Sequence, residues 1–145
     1  MYQKPFLKWV GGKTQIIQSV IDKFPKRINN YHEIFLGGGS VLLALLTLIN
    51  EKKIVVKGDI NAYDINKNLI YVYKNIQDNI EEVLEELTSL KEEYKGITGK
   101  EVIRKPKNDE EAKSSRESYY YWCRTVFNFM KKCTPKHSAY FIFLN

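Results

Sequence analysis

Apolar and polar positions follow two rhythms along the chain. "NYHEIFL" (Asn30 to Leu36) is a short apolar run halted by Gly37-Gly38-Gly39, which predicts a buried strand ended by a turn. "SVLLALLTLI" (Ser40 to Ile49) is apolar nearly all round and predicts a buried helix. "KIVVKGDINAYDI" is rich in β-branched residues and broken at Gly58, so a strand, or a strand after a tight bend, should end near Asp64. The period then lengthens to three and four. Ile76, Ile80, Val83, Leu84, Leu87, Leu90 and Tyr94 predict one amphipathic helix, with glutamates on its solvated side and Gly96 and Gly99 at its end. The polar stretch running to Glu117 reads as a mobile loop. A second helix starts near Asp109 or Ser115 and runs to Lys132, stopping before Pro135. The closing "SAYFIFLN" fits a strand or a buried helix, and no internal repeat is evident.

At 145 residues the chain is one ordinary domain or a piece of a larger one. Its longest apolar stretch, "VLLALLTLI", is far shorter than the roughly 20 residues that span a bilayer. No charged segment followed by an apolar one opens the chain, so neither a membrane nor a secretory route is expected. Cys123 and Cys133 lie ten residues apart. On one helix that is about 15 Å, beyond the roughly 7 Å between Cα atoms that a disulfide allows. The expectation is an intracellular, reducing compartment. With no CxxC and two distant histidines, His32 and His137, no metal is expected and both histidines read as structural. The net charge of +6 is uneven: residues 1–70 carry ten bases and five acids, 71–118 nine and twelve, and 119–145 four and none. Such basic ends suit a polyanion, without identifying one.

"FLKWVGGKTQ" (Phe6 to Gln15) places Gly-Lys-Thr where a phosphate-binding loop would, but the first glycine of G-x-x-x-x-G-K-[ST] would fall at position 7, which is Leu. A turn before a helix near Thr14 explains the glycines and leaves Trp9, between Lys8 and Lys13, unexplained. Strand, glycine run, helix and second strand form the βαβ order that binds an adenosyl group. Gly37 and Gly39 supply G-x-G, yet the third glycine of the dinucleotide fingerprint is replaced by Leu42. A ligand with a ribose but no phosphates needs only close backbone approach at the glycines and a carboxylate for the hydroxyls. S-adenosylmethionine is such a ligand. Asp64, 25 residues past Gly39, stands where the ribose acid is expected, with Asp59 of "GDIN" as a rival.

"FLKWVGGK", "EIFLGGGSV" (Glu33 to Val41) and "YDINKNLIYVYKNI" (Tyr63 to Ile76), followed by "YYYWCRTVFN" and "AYFIFLN", occur in the order found in the Dam-like adenine-specific DNA methyltransferases, which the chain resembles. The resemblance implies the N-terminal half of an α/β, Rossmann-like S-adenosylmethionine-dependent methyltransferase fold with a helical target-recognition insertion. It assigns residues 1–75 to cofactor binding and 76–145 to recognition of double-stranded DNA. It implies cofactor contacts from Trp9, Lys13, Phe35, Gly37, Gly39 and Asp64. Glu33 belongs to the same glycine motif, and Ile34 replaces the family's usual proline. The family's catalytic Asp-Pro-Pro-Tyr has no counterpart, because none of the four prolines adjoins another. The expected reaction, methyl transfer to adenine N6 in DNA, therefore calls for a second chain carrying that motif. The alternatives are a non-catalytic DNA- or cofactor-binding protein and a Rossmann-like domain for another adenosyl ligand. Arg124, Lys131 and Lys132, at helical spacing with no acid nearby, are candidates for phosphate contact. Asn128 is a candidate for reading a base edge, and helix packing remains open for all four. Tyr119 to Trp122 read as core.

Overall fold

The computed structural model describes residues 2–145, which form two compact units divided after Lys67. The first is mixed α/β. A short 3-10 turn at Thr14–Ile16 leads into α1 (Ile17–Ile21), followed by β1 (Arg27–Ile28), β2 (Tyr31–Glu33), α2 (Ser40–Asn50), β3 (Val55–Val56) and β4 (Ile60–Ala62). Both strand pairings are parallel, β1 with β3 and β2 with β4, so α2 is the crossover that parallel neighbours require. Arg27 stands opposite Val55, and Glu33 opposite Ala62. Hydrogen bonds from Gly58 N–H to Asn29 O (2.7 Å) and from Tyr31 N–H to Asp59 O (2.9 Å) carry the pairing across the interruption between the two short ladders. The Gly58 break in the sequence pattern is thus a real bend.

Apolar patterning misjudges the first strand. "NYHEIFL" is not one buried strand: its ladder covers Tyr31–Glu33, while Ile34 is 58% and Phe35 80% exposed. Only one side of the narrow pairing meets the core, where Ile28, Tyr31 and Val56 pack on Ile21, Ala44, Leu45, Leu48 and Ile54. His32 points the other way, its Nδ1 3.2 Å from the Tyr63 hydroxyl and its ring stacked on that tyrosine.

The second unit is helical: α3 (Lys67–Asp78), α4 (Ile80–Gly96), α5 (Asp109–Ala112), α6 (Arg116–Phe129) and α7 (Pro135–Leu144). The stripe from Ile76 to Tyr94 belongs to two helices, because Asn79 leaves helical geometry (φ −142°, ψ 39°). Side chains there compete with the backbone: Asn79 Nδ2 donates to Asn75 Oδ1 (3.1 Å), and buried Asn75 donates to Tyr71 O, Cys133 O and Ser138 Oγ. Val83 and Leu90 are buried, whereas Ile80 and Leu84 are exposed. Leu90, Ile97, Tyr119 and Cys123 form the core, with Tyr94, Trp122, Tyr140, Phe143 and Leu144 packed on it.

The stretch expected to be mobile is held in place. Ser114 and Ser118 hydroxyls donate to Glu101 O, Ile103 N–H donates to Ser118 Oγ, and Lys100 bridges to Ser115. Ser115 caps α6, accepting from Ser118 N–H at 3.1 Å. α6 ends at Phe129 and not at Lys132, since Met130 is extended and Cys133 takes a positive φ before the Thr134-Pro135 start of α7. The ambiguous "SAYFIFLN" is therefore helix. Both cysteines are free; burial, first among the causes, pushes the Cys123 thiol up to about 12. Among the described residues no helix is long and apolar enough to cross a membrane, and no group of His, Cys, Asp and Glu is arranged to hold a metal ion.

Candidate functional site

Both ends of the βαβ unit converge on the glycine turn. Past β2 and β4 the pairing continues, with Tyr63 N–H on Glu33 O and Leu36 N–H on Tyr63 O, both at 2.8 Å. This brings Asp64 beside Gly37. The Gly37 N–H donates to Asp64 Oδ2 at 2.9 Å, and Asn66 N–H donates to Asp64 Oδ1 at 2.8 Å. Gly37 sits at φ +51°, and a Cβ there would stand 3.1 Å from Trp9 Cδ1. Both the backbone angle and the tryptophan ring therefore demand glycine. The residue 9–13 segment closes the other side: Gly12 N–H returns to Trp9 O at 3.2 Å, and Lys13 N–H donates to the buried Ser40 Oγ at 3.2 Å.

These pieces enclose a cavity of about 320 Å³. Trp9, Lys13, Glu33, Phe35, Gly37 and Asp64 all line it. Gly39 does not; it is the left-handed residue (φ 73°) that opens α2. Asp59 lies outside as well, its N–H bonded to Asn30 Oδ1, so the structure separates the two rival acids. Sequence reasoning missed Ser40, which anchors the lysine segment, and the apolar rim of Val10 (99% exposed) and Ile65 (99%), which joins Phe35. Their adjacency to Gly11 and Asp64 was the available signal. Glu33 is half-buried, and desolvation holds its carboxyl above the ordinary range despite the Tyr31 hydroxyl at 3.0 Å and the nearby Lys13 charge, which pull the other way.

The four candidates for DNA contact fall in the second unit. Arg124 and Asn128 are exposed on α6, one turn apart, and the Arg124 guanidinium lies 5.1 Å from the centre of the Tyr121 ring. Lys131 and Lys132 are exposed but lie beyond the helix, so helical spacing does not relate them to Arg124. Tyr119 is buried core, as expected, while Tyr120 is 38% exposed.

Comparison with known proteins identifies the family. A family model described as D12 class N6 adenine-specific DNA methyltransferase matches residues 9–145. The chain is 38% identical over 152 residues to the Type II methyltransferase M.MjaIII of Methanocaldococcus jannaschii, covering 100% of this chain and 46% of that protein. It is 34% identical over 86 residues to the Type II methyltransferase M1.LlaDCHI of Lactococcus lactis, covering 59% of this chain and 27% of that protein. To the DNA adenine methylase of Haemophilus influenzae it is 30% identical over 83 residues, covering 57% and 26%. The chain thus spans about half or less of the length of these relatives. A match running from Trp9 of the cavity to the final residue places the chain in the D12 class of N6 adenine-specific DNA methyltransferases.

Proposed function

We propose that the Trp9–Asp64 cavity binds S-adenosylmethionine, that residues 76–145 contact double-stranded DNA, and that the protein serves site-specific methylation of adenine N6 through a Rossmann-like cofactor domain at residues 1–75. The observation that carries this reading is the Asp64 carboxylate hydrogen-bonded to the Gly37 amide inside the cavity. A carboxylate has about four lone-pair positions. Two accept from backbone N–H groups here, and the remaining two suit a pair of ribose hydroxyls. With Gly37 N–H engaged and an anion beside it, the turn disfavours a pyrophosphate and suits a phosphate-free adenosyl group. Val10, Phe35 and Ile65 offer apolar faces to adenine, Trp9 braces the turn, and Lys13 supplies a cation for the methionine carboxylate. A volume of about 320 Å³ falls within the usual range for small-molecule sites.

When bound, the cofactor supplies a sulfonium-borne methyl group for the adenine amine. The sequence contains no Asp-Pro-Pro-Tyr, so the residues of this chain are assigned binding and positioning and none is assigned the amine's proton. Trp122→Phe leaves Trp9 as the only tryptophan of two. Titrating that chain with S-adenosylmethionine should change Trp9 emission saturably, and S-adenosylhomocysteine should compete. A folded chain whose emission never responds would contradict the assignment.

A further inference from the structure

The segment "KEVIRKPK", residues 100–107, carries four cations and one acid. Lys100, Arg104, Lys105 and Lys107 are all exposed, and among the described residues none of them forms an ion pair. Of the three acids on α5, Asp109 is engaged by Lys113 at 2.7 Å and Glu111 accepts the Lys107 backbone N–H at 2.7 Å, while Glu110 is exposed and, among the described residues, pairs with none of these cations. The backbone beneath these cations is fixed from inside. Ser118, fully buried, accepts Ile103 N–H at 2.7 Å and donates to Glu101 O at 3.1 Å, while Pro106 is buried at the far end. Order in the backbone combined with unpaired charge at the surface is an unusual pairing for a loop of this composition, since like charges on a free loop would spread it.

We propose that residues 100–107 form a preorganised phosphate-contacting loop whose partner is the backbone of duplex DNA, an inference that rests on the reading of residues 76–145 as DNA-contacting. Ordering a flexible loop at the moment of binding subtracts from affinity. Here the Ser118 hydroxyl has fixed the backbone beforehand, so only the cationic side chains remain to be ordered. Ser118 also ties the loop to the helix that bears Arg124. Six residues of α6 separate Ser118 from Arg124, about 9 Å along the axis. The loop and Arg124 are thus held by one helix.

The test measures binding of a fluorescent DNA duplex by anisotropy across a salt series, using the full chain, Arg104→Ala/Lys105→Ala/Lys107→Ala, and Ser118→Ala. Each phosphate contact contributes a slope of about 0.9 in log K against log salt. The triple variant should lower the slope by about two to three and weaken binding at low salt at least tenfold. Ser118→Ala keeps every charge but frees the loop; it should weaken binding several-fold, keep the wild-type slope, and open the Arg104 bond to trypsin. A triple variant that folds and matches the wild-type slope and affinity overturns this inference while leaving the DNA reading intact. A wild-type chain that binds no duplex overturns both. Ser118→Ala binding as tightly as wild type, with Arg104 newly cleaved, overturns the preorganisation.

Discussion

His137→Phe should stabilise the second unit, and more so as the solution is acidified. The imidazole is fully buried in the first turn of α7, behind the Thr134 cap, and stacks on Phe127 with centroids 4.4 Å apart at 20°. Neither ring nitrogen meets a hydrogen-bond partner among the described residues. A buried polar group without a partner costs about 1–3 kcal/mol. Phenylalanine keeps the stacked ring and removes both nitrogens, at the expense of about 1 kcal/mol for fitting a larger ring. The net gain is about 0–2 kcal/mol at neutral pH. For a unit of this size, about 1 kcal/mol moves Tm by about 4–8 °C. Burial, with the Lys132 charge as a smaller cause, also holds the His137 pKa below its ordinary value. Because the folded pKa is the lower one, the unfolded chain binds the proton more readily. His137's contribution is therefore intact above the unfolded pKa and is lost as pH falls toward the folded one. Melts followed by circular dichroism at pH 8 and pH 5 should show the variant level with wild type or up to several degrees higher at pH 8, and further ahead at pH 5. A variant that melts lower at both, or whose advantage stays constant with pH, would refute an unpaired neutral ring.

Gly37→Ala should weaken S-adenosylmethionine binding by tenfold or more, because φ +51° and the Trp9 ring at 3.1 Å both oppose a Cβ; calorimetry on the variant checks it. Glu33→Gln tests the sign at the cavity wall. Desolvation raises the folded pKa, so ionisation penalises the folded state, and urea unfolding should show the glutamine variant gaining stability at pH 7 but not at pH 4. Ser115→Ala removes the α6 cap and the 2.8 Å contact with Ser118, and should cost about 1–2 kcal/mol in urea unfolding with an unchanged m-value. Arg124→Ala should reduce the salt slope of duplex binding by about one while leaving cofactor affinity unchanged.

The glycine turn and its acid were legible in the sequence because their chemistry depends on spacing. A tight turn after a strand, and a carboxylate one strand later, leave a pattern that survives without knowledge of the packing. Burial was less legible. The apolar character of Ile34 and Phe35 reads as core, yet Phe35 lines an open cavity, and hydrophobicity alone does not separate a cavity wall from an interior. The break at Asn79 was invisible for a similar reason, since Ile76 and Ile80 keep helical spacing across one displaced residue. The order in residues 97–115 comes from the Ser114 and Ser118 hydroxyls holding backbone groups, and a composition rich in charged residues signals flexibility instead. α7 did announce itself, through Thr134 as cap and Pro135 at the first helical position, but the apolar run behind it has no periodicity that tells helix from strand.

The central claim is that the first unit forms the cofactor site, and isothermal titration of the folded chain with S-adenosylmethionine tests it most directly. Wild type should bind one equivalent. Trp9→Ala and Asp64→Ala should each bind at least tenfold more weakly, while Asp59→Ala, altered outside the cavity, should bind as wild type does. Absence of heat from a folded wild-type chain, or equal losses from Asp59→Ala and Asp64→Ala, would contradict the account.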